Sequence, residues 1–416
     1  MKPSYTLGRT CRSCGCPQLE KVLSLGKTPL ANALLDAEQL GQPEEWLPLD
    51  LAFCSNCSLL QLLETVPPET LFRHYYYFSS SSDTVLQQAR QIASRMIQER
   101  QLGSKSLVVE IGSNDGYLLQ YYRQGGVAVL GIDPAVNVAR AAESERGIST
   151  LCEFFGRELG RRLSEQGNRA DVVHAHNVLA HVPDLNGFVE GLRNLLKDNG
   201  VGIIEVPYVK ELLDRCEFDT IYHEHLCYFS LTALDGLFAR HGLVVENVER
   251  LAIHGGSLRL FVVPAGRAEP RPAVAALMGQ EQDWGLDRLE AYVGFEGKVV
   301  QVKARLGQML IDLVRQGRRI AAYGAAAKGA TLLNYCGIGR DLIEFVVDRT
   351  KHKQGRYMPG ARLPIYPPSK LLEAMPDFAL LLAWNFADEV LEEAAEFRRR
   401  GGRFIIPVPE PHILSP

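Results

Sequence analysis

Twice along this chain an apolar run ends on a glycine and leads into a helix-like stretch: Leu107-Val-Val-Glu-Ile-Gly112 and Arg319-Ile-Ala-Ala-Tyr-Gly324. Short apolar runs alternating with helical stretches mark mainly parallel sheets covered by helices. The first run is followed by Ala128-Val-Leu-Gly-Ile-Asp133, Ala170-Asp-Val-Val-His-Ala175 and Gly200-Val-Gly-Ile-Ile-Glu-Val206. The second is followed by Ile343-Glu-Phe-Val-Val-Asp348, Phe378-Ala-Leu-Leu-Leu-Ala383 and Arg403-Phe-Ile-Ile-Pro407. At 416 residues the chain is too long for one ordinary core. The reading is α/β with three parts: a cysteine-marked module over 1–70, one α/β unit over 71–285 and a second over 286–416. A helical stretch, Asp83 to Arg100, leads into the first unit. Residues 265–290, with Pro, Ala and Gly early on, read as a linker into a long helix near 290–317.

Five of the nine cysteines, Cys11, Cys14, Cys16, Cys54 and Cys57, fall in the first 57 residues. Cys11-x-x-Cys14 and Cys54-x-x-Cys57 are two knuckles 39 residues apart, and together they offer four thiolates to one tetrahedral metal. Four sulfurs leave no open position, so the expected zinc is structural. Cys16 is an alternative to Cys14. Neither pair opens a helix after a strand, which argues against a redox role. An odd cysteine count without the apolar core of a signal peptide argues for thiols and metal in a cytoplasmic setting. The net charge of −4 gives no sign of a nucleic-acid or anionic-membrane surface. No apolar run is long enough to span a bilayer, and a monomer is compatible with everything in the sequence.

Glu110-Ile-Gly112-Ser-Asn114-Asp-Gly116 follows a strand and precedes a helix-like stretch. Glycines there permit a tight turn and a close approach of backbone to a ligand. Asp133 ends the next strand about 20 residues on, where an acid accepts hydrogen bonds from a ribose diol. The Gly-x-x-x-Gly spacing differs from the dinucleotide fingerprint. It resembles the donor loop of class I S-adenosylmethionine methyltransferases. That resemblance implies that Phe154 or Phe155 flanks the adenine and that His176 and Asn177 line the sulfonium end. The competing reading is a generic α/β turn that binds nothing.

Tyr222-His223-Glu224-His225 packs a phenol, a carboxylate and two imidazoles into four residues downstream of that loop. Methyl transfer to carbon needs a base to make a carbanion or enolate, and a histidine oriented by a carboxylate suits that task. The competing reading is a metal site, which no further His or carboxylate cluster completes. His181 lies just past a strand end, where α/β folds place ligands, although capping or surface histidines are common there. In Tyr75-Tyr-Tyr-Phe78-Ser-Ser-Ser-Ser82, Tyr76 or Tyr77 either points a hydroxyl into a cleft or anchors the cysteine module. His254-Gly-Gly-Ser257 reads as a backbone nest for an anion or sugar hydroxyls, or as a strand-edge bulge.

The second glycine loop, Tyr323-Gly324-Ala-Ala-Ala-Lys328-Gly329, also opens a helix. A helix start with a lysine suits a pyrophosphate. The lysine precedes the second glycine, so this is not a Walker A loop. Asp348-Arg-Thr-Lys-His-Lys-Gln-Gly-Arg356 is basic and favours a phosphorylated ligand; Trp384-Asn385-Phe386 can meet a base or sugar. A non-binding Rossmann-like scaffold is the alternative.

Taken in order, CxxC…CxxC, Tyr-Phe-Ser-Ser, Glu-Ile-Gly-Ser-Asn-Asp-Gly, Tyr-His-Glu-His, His-Gly-Gly-Ser, Tyr-Gly-Ala-Ala-Ala-Lys-Gly, Lys-Gln-Gly-Arg-Tyr-Met-Pro-Gly and Trp-Asn-Phe span essentially the whole chain. The set resembles the S-adenosylmethionine-dependent sugar C-methyltransferases of deoxysugar pathways, which make branched sugars for antibiotics and surface glycans. The resemblance implies an N-terminal zinc-binding module, a central class I Rossmann-like methyltransferase domain and a C-terminal Rossmann-like α/β domain enclosing a dTDP-linked 4-keto-6-deoxysugar. It implies His225 as general base, Glu224 orienting it, and Tyr222, His181 and Tyr76 or Tyr77 around the sugar. His254, Ser257, Tyr323, Lys328, Arg356 and Asn385 are the expected acceptor contacts. Two further hypotheses are a carbon methyltransferase acting on a non-sugar keto metabolite or carrier-bound acyl group, and a zinc-bearing scaffold that senses S-adenosylmethionine.

Overall fold

The computed structural model describes residues 4–415 except 74, 76 and 77, with the backbone alone at 254. The N-terminal module is built on antiparallel strands β1 (Leu19–Thr28), β2 (Leu47–Cys54) and β3 (Leu60–Leu62). Its two knuckles are tight turns: Gly15 N donates to the Cys11 carbonyl and Ser58 N to the Cys54 carbonyl. All four ligand sulfurs, from Cys11, Cys14, Cys54 and Cys57, lie within 4.8 Å of one another. A tetrahedron with Zn–S bonds of about 2.3 Å has S···S edges of about 3.8 Å. The Cys11–Cys57 and Cys14–Cys54 separations of 3.4 and 3.6 Å fit that ion. Cys16 turns away to donate to Gln18, so Cys14 completes the set.

The central unit contributes β4 (Leu107–Ile111), β5 (Ala128–Ile132), β6 (Thr150–Leu151), β7 (Ala170–His176), β8 (Leu196–Pro207), β9 (Cys227–Tyr228), β10 (Leu243–Leu251) and β11 (Ser257–Pro264). Seven of them form one sheet in the order β10-β11-β8-β7-β4-β5-β6, with only the β11 pairings antiparallel. The order in which strands are added reverses between the parallel neighbours β4 and β7, which opens a crevice at their carboxyl ends. β9 leaves that sheet and joins the N-terminal module, in the order β9-β3-β2-β1.

The C-terminal unit repeats the logic with β12 (Ile320–Tyr323), β13 (Val346–Val347), β14 (Ile365–Tyr366), β15 (Phe378–Leu381), β16 (Arg403–Ile406) and β17 (His412–Ile413). The order is β14-β13-β12-β15-β16-β17, parallel except for the last pair. Its own reversal lies between β12 and β15, beside the Gly324 turn. The expected long helix is Phe295–Arg315.

The stretch 265–290 is not a plain linker. Pro272–Asp283 is helical, and its buried Glu281 accepts from Tyr208 Oη, Leu231 N, Thr232 N and Thr232 Oγ1 at 2.7–2.9 Å. A carboxylate with that many donors at the start of the Leu231–Ala239 helix caps it and welds the helix to the central unit.

The units share one apolar core, in which Phe53 of the module meets Tyr292 at 4.5 Å between ring centroids. The module grips the segment before β9 at three points. Leu62 N donates to the Leu226 carbonyl at 2.9 Å, His223 Nε2 to the Pro48 carbonyl at 3.0 Å, and Asn32 Nδ2 to Glu224 Oε1 at 2.7 Å. The order of the 222–229 segment therefore depends on the metal-held sheet. Stripping the metal with a strong chelator should raise amide hydrogen exchange over 47–62 and 222–229 while β4 and β5 stay protected. Unchanged exchange at 222–229 would show that the clamp is independent of the metal.

Candidate active site

A cavity of about 880 Å³ runs between the two crevices and is lined from all three units. At one end stands the first glycine loop. Gly112 has φ +69°, and a Cβ there would come within 2.4 Å of Val178 Cγ2, so the turn admits only glycine. Asn114 follows with φ +50° and lines the cavity. Gly116, at φ +77°, packs against Ile148 instead. Asp133 takes backbone N–H groups of Asn114 and Ala135 at 2.8 and 2.9 Å; burial pushes its carboxyl up to about 6. Glu110, an expected donor contact, is fully buried beneath the loop and is not part of the cavity wall. Burial holds its carboxyl well above the usual range, with the Tyr117 hydroxyl acting the other way. Phe154 and Phe155 both line this end, together with His176 and Asn177. His176 is tied to His174, which in turn meets Tyr122 Oη, and it faces the Glu205–Arg259 ion pair.

At the other end the Tyr222–His225 turn presents its imidazole. His225 Nδ1 donates to the Thr220 carbonyl at 2.8 Å. In the neutral ring that selects the tautomer with its lone pair on Nε2, which lies 2.8 Å from the Tyr222 hydroxyl and would accept from it. The group on Nδ1 is thus a backbone carbonyl, not the Glu224 carboxylate expected from the sequence. Glu224 sits behind the turn. Its Oε1 takes the Asn32 amide, and its buried Oε2 has no hydrogen-bond partner. Burial pushes its carboxyl up to about 7 against the opposing pull of Asn32 and Lys353. His181 Nδ1 donates to the Glu224 carbonyl at 2.8 Å, and its ring stands edge-on to His225 at 4.8 Å between centroids. Burial lowers His181 to about 4, so it is a neutral imidazole.

The floor between these ends joins Lys328 and Trp384, both expected from the sequence, to two carboxyls that were not, Glu217 and Asp219. Trp384 Nε1 donates to Asp219 Oδ2 at 2.6 Å, linking the C-terminal unit to the turn that carries Thr220. Lys328 Nζ lies 4.5 Å from the Trp384 ring centroid, shut off from solvent and without a hydrogen-bond partner. Burial lowers its pKa, while Asp219 and Glu217 act the other way. Burial pushes Glu217 up to about 7 and Asp219 up to about 6, with Lys328 opposing both shifts.

Other expected acceptor residues fare differently. Asn385 lines the cavity, as does Lys353, whose Nζ donates to the Ala325 carbonyl. Tyr323 Oη is taken by Glu393, Ser257 Oγ closes on the Ile253 carbonyl and Arg356 pairs with Asp36, so none of the three is in the cavity wall. Tyr76 and Tyr77 lie outside the described residues, as does the His254 side chain.

A donor crevice fused to a second Rossmann-like unit and a zinc-held module defines a methyltransferase. The chain matches a zinc binding domain over residues 11–72, a methyltransferase domain over 84–248 and a C-methyltransferase C-terminal domain over 252–409. It is 40% identical to the C-methyltransferase NovU of Streptomyces niveus over 406 residues, 97% of this chain and 96% of NovU. The ubiquinone biosynthesis O-methyltransferase of Chelativorans sp. (strain BNC1) is 29% identical over 97 residues, 23% of this chain and 37% of that protein. Among solved structures, magnesium protoporphyrin IX methyltransferase (ChlM) from Synechocystis PCC 6803 with bound SAM superposes with a TM-score of 0.34 at 15% identity, covering 43% of this chain and 79% of ChlM. The chain belongs to the C-methyltransferase family. It is an S-adenosylmethionine-dependent C-methyltransferase similar to NovU.

The raised Glu224 carboxyl has a measurable consequence. Its folded-state value of about 7 exceeds the unfolded one, near 4.3, so the folded chain holds the extra proton between the two. The stability this gives is complete below the unfolded value and is lost as pH rises through the folded one. Glu224→Gln, which keeps a partner for Asn32, should flatten the fall in thermal midpoint across that window. Parallel curves for variant and parent would contradict the assignment.

Proposed function

We propose that this enzyme methylates the carbon alpha to a ketone, C3 of a dTDP-linked 4-keto-6-deoxysugar, by way of an enolate made by His225. The observation that carries this reading is the fixed His225 tautomer, with its basic nitrogen facing the same cavity as the donor loop. When bound, S-adenosylmethionine supplies an electrophilic methyl group on a sulfonium. The turn at Gly112 and Asn114 suits its amino-acid part, Asp133 its ribose diol, Phe154 its adenine and Asn177 its sulfonium end. The five residues line one cavity, and the Gly112 turn has no room for a Cβ, which supports that assignment.

His225 removes the alpha proton through Nε2, and the Thr220 carbonyl stabilises the imidazolium that forms. Tyr222 holds that nitrogen in the free protein. Proton removal therefore requires its hydroxyl either to yield to the acceptor or to pass the proton along the same hydrogen bond. His181, neutral and edge-on to His225, walls the reacting carbon. The phosphorylated end of the acceptor is assigned to the start of the Ala327–Cys336 helix and to Lys353 and Asn385 beside it.

Thermal-shift binding comes first. S-adenosylhomocysteine and dTDP should each stabilise the protein, roughly additively. His225→Asn should keep both shifts and lose methyl transfer to dTDP-4-keto-6-deoxyglucose by at least about 100-fold. Near-normal turnover in that variant would remove His225 as base. No shift with dTDP would move the acceptor to non-sugar ketones. A product methylated at C5, the other carbon flanking the ketone, would keep the enolate and relocate the attack.

A further inference from the structure

Removing a proton alpha to a ketone puts negative charge on the carbonyl oxygen, and a buried site needs a positioned donor for it. The phenol bonded to the base, among the described residues, is Tyr222, whose Oη is engaged with His225 Nε2. Among the described residues, three lysine or arginine side chains line the cavity: Arg259, Lys328 and Lys353. Arg259 is committed to Glu205 at 2.6 Å. Lys353 donates to the Ala325 carbonyl at 2.8 Å and lies 3.8 Å from Asp348. Lys328 alone of the three has a buried Nζ with no hydrogen-bond partner.

We propose that Lys328 is a catalytic residue whose ammonium stabilises the enolate oxygen of the acceptor. The inference rests on the enolate reading above and replaces the diphosphate role that the sequence suggests for this lysine. Two observations separate the roles. First, Lys328 is already faced by Glu217 and Asp219. A diphosphate would bring its charges against both carboxyls, whereas one ammonium matches the single charge that develops on a carbonyl oxygen. Second, the lysine and the base share a brace. Asp219, held by Trp384, belongs to the turn Phe218–Thr220, and the Thr220 carbonyl holds His225. One short turn thus sets both the ammonium and the imidazole.

The electrons balance without a further reagent. His225 takes the alpha proton, the C–H pair becomes a C=C bond and the carbonyl π pair moves to the oxygen facing Lys328. That pair then re-forms C=O while the C=C pair attacks the methyl carbon, and the methyl–sulfur pair leaves on sulfur. The imidazolium proton returns to solvent with product release.

Solvent exchange separates this step from binding. Lys328→Met and Lys328→Gln are made in parallel, and whichever binds S-adenosylhomocysteine like the parent is read. Each is incubated in D2O with S-adenosylhomocysteine and dTDP-4-keto-6-deoxyglucose, and deuterium uptake at the alpha carbon is followed by NMR. The expected result is a fall in uptake of about 100-fold to 1,000-fold, an equal fall in kcat for methyl transfer, and dTDP affinity within about threefold of the parent. Exchange retained at saturating acceptor, with dTDP binding weakened tenfold or more, would overturn the proposal in favour of a phosphate clamp. Unchanged exchange and binding would overturn it outright. If the parent enzyme methylates without exchange that depends on His225, the enolate reading itself fails, independently of Lys328.

Discussion

The proposed chemistry hangs on a hydrogen bond from His225 to the Thr220 carbonyl. A histidine near neutrality has two tautomers, and only one leaves a basic nitrogen turned to the cavity. A backbone carbonyl makes the choice here, so the imidazole is as well oriented as the turn that bears it. That turn is held from both sides. β9 is paired into the metal-bound sheet, with Asn32 and His223 as further ties. On the other side Trp384 of the C-terminal unit grips Asp219. The zinc takes no chemical part in this arrangement; by fixing the sheet, it fixes the edge on which the turn is built.

The electrostatics follow from burial. Glu110, Glu217, Asp219 and Glu224 all have burial as the leading cause of a raised carboxyl pKa, and the histidines His174, His176 and His181 are pushed down by the same cause. A site that disfavours both signs of charge in its resting state suits a reaction whose charge appears transiently. It keeps His181 neutral beside His225. Burial lowers the lysine at the floor as well, with the two nearby carboxyls acting the other way.

Local sequence carried the parts whose geometry is local. The Gly112 turn, Asp133, the two cysteine knuckles and the Tyr222–His225 run are each readable because a few consecutive residues dictate the backbone or the chemistry. The partners of those parts were not readable. Asn32 meets Glu224 across 192 positions and Trp384 meets Asp219 across 165; Asn32 stands in no motif, and the Trp-Asn-Phe run pointed to a base or sugar rather than to Asp219. The adjacent carboxylate in Tyr-His-Glu-His suggested an orienting role for Glu224, but successive side chains in a tight turn point apart, and a carbonyl five residues upstream reached the ring first. Tyr323 and Ser257 were misplaced for a related reason. A hydroxyl next to a ligand loop is as often spent inside the fold, and spacing alone does not distinguish the two. The stretch 265–290 misled because its composition is loop-like, while one buried carboxylate, Glu281, ties it into the core.

Oxygen methylation often needs little beyond a donor domain that positions a nucleophile. Carbon methylation adds a base, a sink for the enolate charge and a way to keep both dry. In this chain each addition comes from a different place. The proposed base stands on a turn of the central unit that the N-terminal module clamps, and the lysine proposed as the sink stands on the first turn of a C-terminal helix. The cavity closes only where the three units meet. No two of them contain a complete site, because the Trp384–Asp219 bond and the Asn32–Glu224 bond each cross a unit boundary to reach consecutive parts of one loop. On the proposed chemistry, the parts beyond the donor domain are what hold one imidazole and one lysine in register.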